Sequence, residues 1–254
     1  MYRLTLLFRK TAMNTSQHPV NWTEFQSMNR QRRAIRDFDG AQISDDDIAA
    51  ILAEAVLAPS SGNLQPYQLH WISDAKTKEK IATACNGQKA AKTASTLIVV
   101  AANPTFGLTT ASEQRAYIDG SESLEQRSKD YYHKQLSMFE RLLKVGALSV
   151  WTPLVSIAAF FRPSLSLLPV GHLGSRHWAA RNAVFAAQTL MLAATAKGID
   201  SCPMEGFSAS TIARQLDLPR GTVIPLVIAL GYRTDEARVE AQWRRSQDDL
   251  VIQH

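Results

Sequence analysis

Residues 178–198, WAARNAVFAAQTLMLAATAKG, are small or apolar at most positions, a pattern that suits a helix buried on most of its faces. Gly198 stands where a C′ glycine closes such a helix. A buried helix needs partners, and two continuous apolar runs supply them: STLIVVAA at 95–102 and TVIPLVIALGY at 222–232 read as strands covered on both faces. Pro225 cannot donate to a ladder and marks an edge or irregular position in the second run. Gln68 to Ile72 reads as a further strand. Helical periodicity spans 44–58, with Ser44 as N-cap, Asp45 to Asp47 in the first turn and Pro59 as the stop. It returns at 75–84, over most of 111–148, and at 208–216. Helices and strands do not alternate in βαβ fashion, so the pattern predicts an α+β fold. With 254 residues, 45% of them apolar, the chain can bury one full core. The expected organisation is an N-terminal arm over 1–20, with Met13 as a plausible true start, and a single domain over 21–254.

The 28 Lys and Arg against 23 Asp and Glu give a net charge of +5, concentrated locally. Arg30, Arg32, Arg33 and Arg36 form one cluster; Arg244 and Arg245 form a second. Aromatic residues are not interleaved with them as base stacking would require, which argues against a nucleic-acid-binding protein. Cys85 and Cys202 form no CxxC pair, so no disulfide framework or zinc site is expected, and a cytoplasmic location fits best. The start of the chain lacks a signal-peptide h-region. TPLVSIAAFFRPSLSLLPV, residues 152–170, is apolar, but Arg162 and prolines 153, 163 and 169 should break any spanning helix. An apolar lid or interface segment is expected there, with a buried core loop as the alternative.

Familiar catalytic patterns are missing: no GxSxG, HExxH, Walker sequence or strand-helix GxGxxG occurs. His172 and His177 are too few to hold a metal on their own. Three polar clusters remain. RQRRAIRDF at 30–38 is either a phosphate site, since guanidiniums pair phosphate oxygens bidentately, or a solvated helix end. APSSGNLQP at 58–66 carries a turn-forming Pro59, a permissive Gly62, and the carboxamides of Asn63 and Gln65. Those suit the edge of a flat heterocycle, or they bond the loop to itself. CPMEGF at 202–207 puts Glu205 and Gly206 in a turn where backbone could approach a ligand closely, or where there is only a turn.

In this order, with the buried helix before the third cluster, the motifs resemble the nitroreductase family of FMN-dependent oxidoreductases. RRAIRDF (32–38) is similar to the family's RRSxRxF, APSSGNLQPY (58–67) to its APSxxNxQPW, and GIDSCPMEGF (198–207) to its GLGSCPIEGF. The resemblance runs from about Trp22 to Ile252 and is poor over 105–177, which reads as a lid or interface insertion. It implies a nitroreductase-like fold, a central mixed β-sheet flanked by helices in an intertwined homodimer, with FMN sites at the subunit interface.

It also implies roles for individual residues. Arg32, Arg33 and Arg36 would hold the FMN phosphate and ribityl region, with Ala34 at a position often occupied by serine. Pro59, Ser60, Ser61 and Asn63 would reach flavin bound mainly by the other subunit. Met204, Glu205 and Gly206 would lie along the flavin, with the Gly206 N–H near N5. Gln88 or Lys89 would approach the pyrimidine end, and Arg244 and Arg245 would close on the phosphate. No side chain need act as catalytic nucleophile and no metal is implied. NADH or NADPH would reduce the flavin, which would then reduce a nitroaromatic, quinone or enone-like acceptor in a ping-pong cycle. A lid carrying Trp151, Phe160 and Phe161 would favour a flat or hydrophobic acceptor. The alternative within the family is a flavin-dependent dehydrogenase, dehalogenase or flavin-fragmenting enzyme.

Overall fold

A computed structural model describes residues 21–254; the proposed arm at 1–20 lies outside them. Helix α1 (Trp22–Gln31) is followed by an extended segment and α2 (Asp45–Ala55). The Ser44 hydroxyl accepts from the Asp47 N–H at 3.1 Å, and three aspartates occupy the first turn, as the N-cap pattern requires. The helix ends at Ala55, before Pro59, because residues 56 and 57 already form a turn. Then come β1 (Tyr67–Ile72), α3 (Ala75–Ala84), α4 (Lys89–Thr93) and β2 (Thr96–Ala102). The expected helical stretch resolves into α5 (Pro104–Gly120) and α6 (Gln126–Arg141), and a π-helical turn follows at Leu142–Gly146.

As expected, the prolines at 152–170 allow no single spanning helix, although a short one forms between them. Residues Trp151–Phe161 form α7, a short 3₁₀ turn occupies Pro163–Leu167, and the long α8 spans Gly171–Ala196. Pro153 sits in the first turn of α7, where its missing N–H has no intrahelical partner to lose. The buried-loop alternative also fails, since α7 has no buried residue. The chain closes with β3 (Asp200–Met204), α9 (Ala209–Gln215), β4 (Val223–Gly231) and the short α10 (Gln247–Leu250).

The four strands pair antiparallel in the order β1-β2-β4-β3, and the parallel component expected of a mixed sheet reduces to an isolated bridge between Ala34 and Ser201. Strand alternation divides the core. Ile98, Val100, Ile228 and Leu230 face α2 and α8, whereas Leu97, Val99, Val227 and Ala229 face α3, α4 and α9. This accounts for the unbroken apolar runs. Pro225 does not mark an edge strand, because β4 lies inside the sheet. It falls where the β2–β4 register shifts, between the pairs Val100↔Leu226 and Ala102↔Val223, so the irregularity absorbs its missing donor.

Alanines 179, 183, 186, 187 and 194 of α8 are buried and let the helix lie close to the sheet. Its end is a Schellman motif: Gly198, at φ +72°, donates to Thr195 O and Ile199 donates to Ala194 O, both at 2.9 Å. Both cysteines are buried and free, and desolvation pushes the Cys85 thiol up to about 11. Among the described residues no helix is long and apolar enough to cross a membrane, and no group of three or more metal-ligating side chains converges.

Candidate flavin-binding site

The first cluster begins where α1 stops. Arg30 lies in the last turn of the helix, and residues 32–38 run extended, anchored by buried Ile35 and Phe38, by the Ala34–Ser201 bridge and by a Phe38–Arg233 bridge. Alternate side chains therefore go to opposite sides. Arg32 lines a cleft of about 510 Å³ with Arg30, Arg244, Pro203 and the α8 residues Gln188 and Met191. Arg36 lines a different cleft of about 630 Å³, with Asp37, Lys89, Glu236, Arg238 and Glu240. Arg33 donates to the Glu240 carbonyl and so ties the C-terminal segment to this strand-like stretch.

No carboxylate lines the first cleft. Burial, then the Arg244 and Arg33 guanidiniums, push Arg32 below the ordinary arginine value, so positive charge is crowded here without compensation. Three of the separately noted motifs thus meet: Arg32 of the first, Pro203 of the third, and Arg244 of the C-terminal pair. Arg245 instead lies 3.6 Å from Asp249.

The third cluster is more than a turn. Its first half is the edge strand β3, where exposed Pro203 costs no ladder bond, and Met204 is buried beneath it. Glu205 and Gly206 follow, exposed. The Gly206 carbonyl accepts from Gln88 Nε2 at 2.8 Å and from Asn86 Nδ2 at 3.0 Å, while its N–H makes no hydrogen bond to the chain among the described residues. Of the two residues expected near the pyrimidine end, Gln88 meets Gly206, and Lys89 turns to Asp37 at 2.5 Å. Asn86 was not singled out in the sequence, because its link to Gly206 spans 120 positions.

The second cluster stands apart. Residues Ser61–Asn63 make one 3₁₀ turn in which Gly62 takes φ +62°, and a Cβ there would come within 2.7 Å of the Phe139 ring on α6. Ser60 Oγ accepts from the Gln65 N–H at 3.0 Å, and Asn63 Oδ1 accepts from Gln65 Nε2 at 3.2 Å, the self-bonding alternative realised in part. The loop's anchor is buried Asn182 on α8: its Oδ1 accepts from the Ser61 N–H at 2.7 Å while its Nδ2 donates to Trp178 O. No hydrogen bond or ion pair joins Pro59, Ser60, Ser61 or Asn63 to the arginine cluster or to Gly206 among the described residues. Asn182 and Gln188 lie about 9 Å apart along α8 and about 120° apart around it, which explains the separation.

Asn182→Ala would remove the acceptor of the Ser61 N–H, a part-buried hydrogen bond, at a cost of about 0.5–1.5 kcal/mol. A melting experiment should show a Tm lowered by roughly 2–4 °C for each kcal/mol. An unchanged Tm would mean that the loop does not depend on this bond.

The nitroreductase family model matches residues 30–232. A Bacillus subtilis protein named as an NAD(P)H nitroreductase, MhqN, is 26% identical over 90% of this chain and 98% of its own length. A B. subtilis nitroreductase structure, ydfN, superposes with a TM-score of 0.73 at 24% identity, covering 91% of this chain and 99% of that one. A nitroreductase-fold protein of Exiguobacterium sibiricum, solved in complex with FMN, gives 0.69 at 21% identity, over 91% of this chain and 97% of that one. With the family model matching from the first arginine cluster to just past the last strand, over most of the chain, the chain belongs to the nitroreductase family.

Proposed function

We propose that the protein is an FMN-dependent NAD(P)H oxidoreductase that works as a homodimer and passes electrons to an electron-poor acceptor by a ping-pong cycle. The observation that carries this reading is the acid-free cleft in which Arg32, Arg30 and Arg244 crowd beside Pro203. Such a cleft fits the phosphate of a bound mononucleotide, whose charge would relieve the repulsion that depresses Arg32. The relatives agree in kind: one is named for NAD(P)H and another is solved with FMN.

When bound, the flavin would supply the acceptance and release of hydride. The chain's own share would be binding, orientation and electrostatics. Arg32 and Arg244 would neutralise the phosphate, and Arg33, through the Glu240 carbonyl, would keep the C-terminal segment closed over it. Arg36 and Lys89 border the neighbouring cleft, where Asp37, Glu236 and Glu240 balance the cations, so they would act by direct contact and not through a net field. Ala34 would contribute backbone only. Asn86 and Gln88 clamp the Gly206 carbonyl, so the Gly206 N–H is held still and free to donate to the isoalloxazine. Met204 would brace that turn from below and Glu205 would flank it.

Pro59, Ser60, Ser61 and Asn63 would serve a cofactor held mainly by another copy. Their separation from this chain's own cleft, on another face of α8, supports that role. The open edge of β1 supports a dimer. Among the described residues Tyr67 Oη and His70 Nε2 are buried there without hydrogen-bond partners, and the same chain exposes apolar Leu250, Val251 and Ile252 at its C-terminus.

Anaerobic mixing of the flavin-loaded protein with NADH and, separately, NADPH should bleach the flavin absorbance with at least one of them. Reoxidation by nitroaromatic, quinone and enone acceptors should then give parallel double-reciprocal plots. Failure of both nicotinamides would overturn the reading.

A further inference from the structure

Helix α7 is amphipathic the wrong way round for a body helix. At 100° per residue, Trp151, Leu154, Ile157, Phe160 and Phe161 occupy about half its circumference. All five are exposed, Phe160 at 83% and Phe161 at 76%. The half-buried residues Thr152, Val155 and Ala159 form the opposite face. Thr152 Oγ1 accepts from the His172 N–H at 2.9 Å and anchors the helix to the start of α8. The chain thus turns its small residues inward and its largest apolar ones outward.

Charge surrounds this face but does not enter it. No ionisable residue occurs within α7, whereas exposed Arg141 and Lys144 precede it, Arg162 follows it, and exposed Arg181 donates to the Leu167 carbonyl beneath it. Residues 126–181 contain eight Lys and Arg and two Asp and Glu, a net of +6, against +5 for the whole chain. Of these cations Arg141, Lys144, Arg162 and Arg181 flank the exposed apolar helix, whereas Arg176 lies against Gly221 and Lys129 reaches the Asp119 carbonyl.

We infer that α7 is a docking element for an anionic phospholipid surface, on which it lies with its outer face among the acyl chains. Its 11 residues span about 16 Å, short of the roughly 30 Å of a hydrocarbon core, so it can lie in the interface but not cross. The bend of 107° between 126–146 and 151–161 sets the helix across its supporting element, as a foot on a stalk. A two-fold contact between α7 helices of two copies would bring the same basic residues together from both sides, which is repulsive. An anionic lipid surface satisfies the apolar face and the cations at once.

The test uses the full-length protein and sedimentation with sucrose-loaded vesicles, either phosphatidylglycerol and phosphatidylcholine in equal parts or phosphatidylcholine alone. The wild type should sediment with the anionic vesicles, much less with the neutral ones, and less as salt is raised. The double variant Phe160→Ser, Phe161→Ser should lose about tenfold or more in partitioning, since each ring contributes much of its burial free energy. Both positions are exposed, and an unchanged melting curve would show that the fold is intact. Absence of wild-type binding to anionic vesicles, or equal binding by the variant, would overturn the inference. So would a variant whose only change is a smaller sedimenting mass, which would assign α7 to contacts between copies. No flavin signal enters the readout, so this result stands or falls apart from the proposed oxidoreductase activity.

Discussion

Replacing Arg32 and Arg244 together by alanine should lower the affinity for FMN by about 100-fold or more. A charge-assisted hydrogen bond contributes about 1.5–3 kcal/mol, so losing two corresponds to roughly two to four orders of magnitude in Kd. Titration of the apoprotein, followed by quenching of flavin fluorescence, reads this directly. Arg32→Lys should be intermediate, because an ammonium keeps the charge but not the planar fork. The stability of the apoprotein should move the other way or not at all. Burial and two neighbouring guanidiniums already disfavour the charged form of Arg32, so its removal relieves repulsion. A double variant that melts like the wild type yet fails to hold FMN would locate the phosphate in the Arg32–Arg244 cleft. Undiminished FMN binding would move it to the second cleft, beside Arg36 and Lys89. Arg245→Ala is the internal control: that side chain lies beside Asp249 and does not line the cleft, so its loss should cost less than about tenfold.

What was legible in the sequence follows the range of the forces involved. The end of α8 could be read because a Schellman motif is local: one glycine at φ +72° and the carbonyls within five residues of it. The cap of α2 could be read for the same reason. Strand β3 was missed because Cys202, Pro203 and Met204 have the composition of a turn, and only the pairing with β4 makes them extended. The sequence leaves Pro225 between an edge and an irregular position, because both relieve the same missing donor; the fold selects the irregularity. The α7 helix was hidden by Pro153, whose helix-breaking effect vanishes in a first turn.

The candidate site divides in the same way. Arginines and glycines at motif spacing point to an anion and a close backbone approach; the fold brings Arg32 beside Arg244 and Pro203, while Gly206 does not line that cleft. The residues that hold those groups in place were silent. Asn182 lies 121 positions from Ser61, and Asn86 lies 120 from Gly206; nothing local distinguishes either from any other asparagine. Nor does the sequence show that 58–66 sits on a different face of α8 from the arginine cleft. That separation needs the fold, and it is what supports the proposal that the loop serves a neighbour's cofactor.

Ending the chain after Ser246 should convert the dimer to monomer and weaken FMN binding by about tenfold or more, although Arg32 and Arg244 both remain. The truncation removes α10 and the tail, in which Leu250, Val251 and Ile252 are all exposed and Val251 is extended at φ −111°, ψ 110°. Strand β1 is the opposite half of the match: among the described residues it is an outermost strand with an unpaired backbone edge, beside a groove of about 440 Å³ lined by Tyr67, His70 and Leu52. Burial raises the Tyr67 phenol and lowers His70, so both are held neutral, as hydrogen-bonding groups awaiting a partner. An extended tail laid on that edge would pair its backbone and cover three apolar side chains, at about 1.5–3 kcal/mol each as an upper bound. Two-fold symmetry doubles the contact. Because residues 58–66 would then reach the other copy's flavin, loss of the tail should cost affinity at a site it does not touch. Sedimentation velocity gives the oligomeric state and flavin titration gives the affinity. A truncated protein that stays dimeric with unchanged FMN affinity would show that another element covers β1.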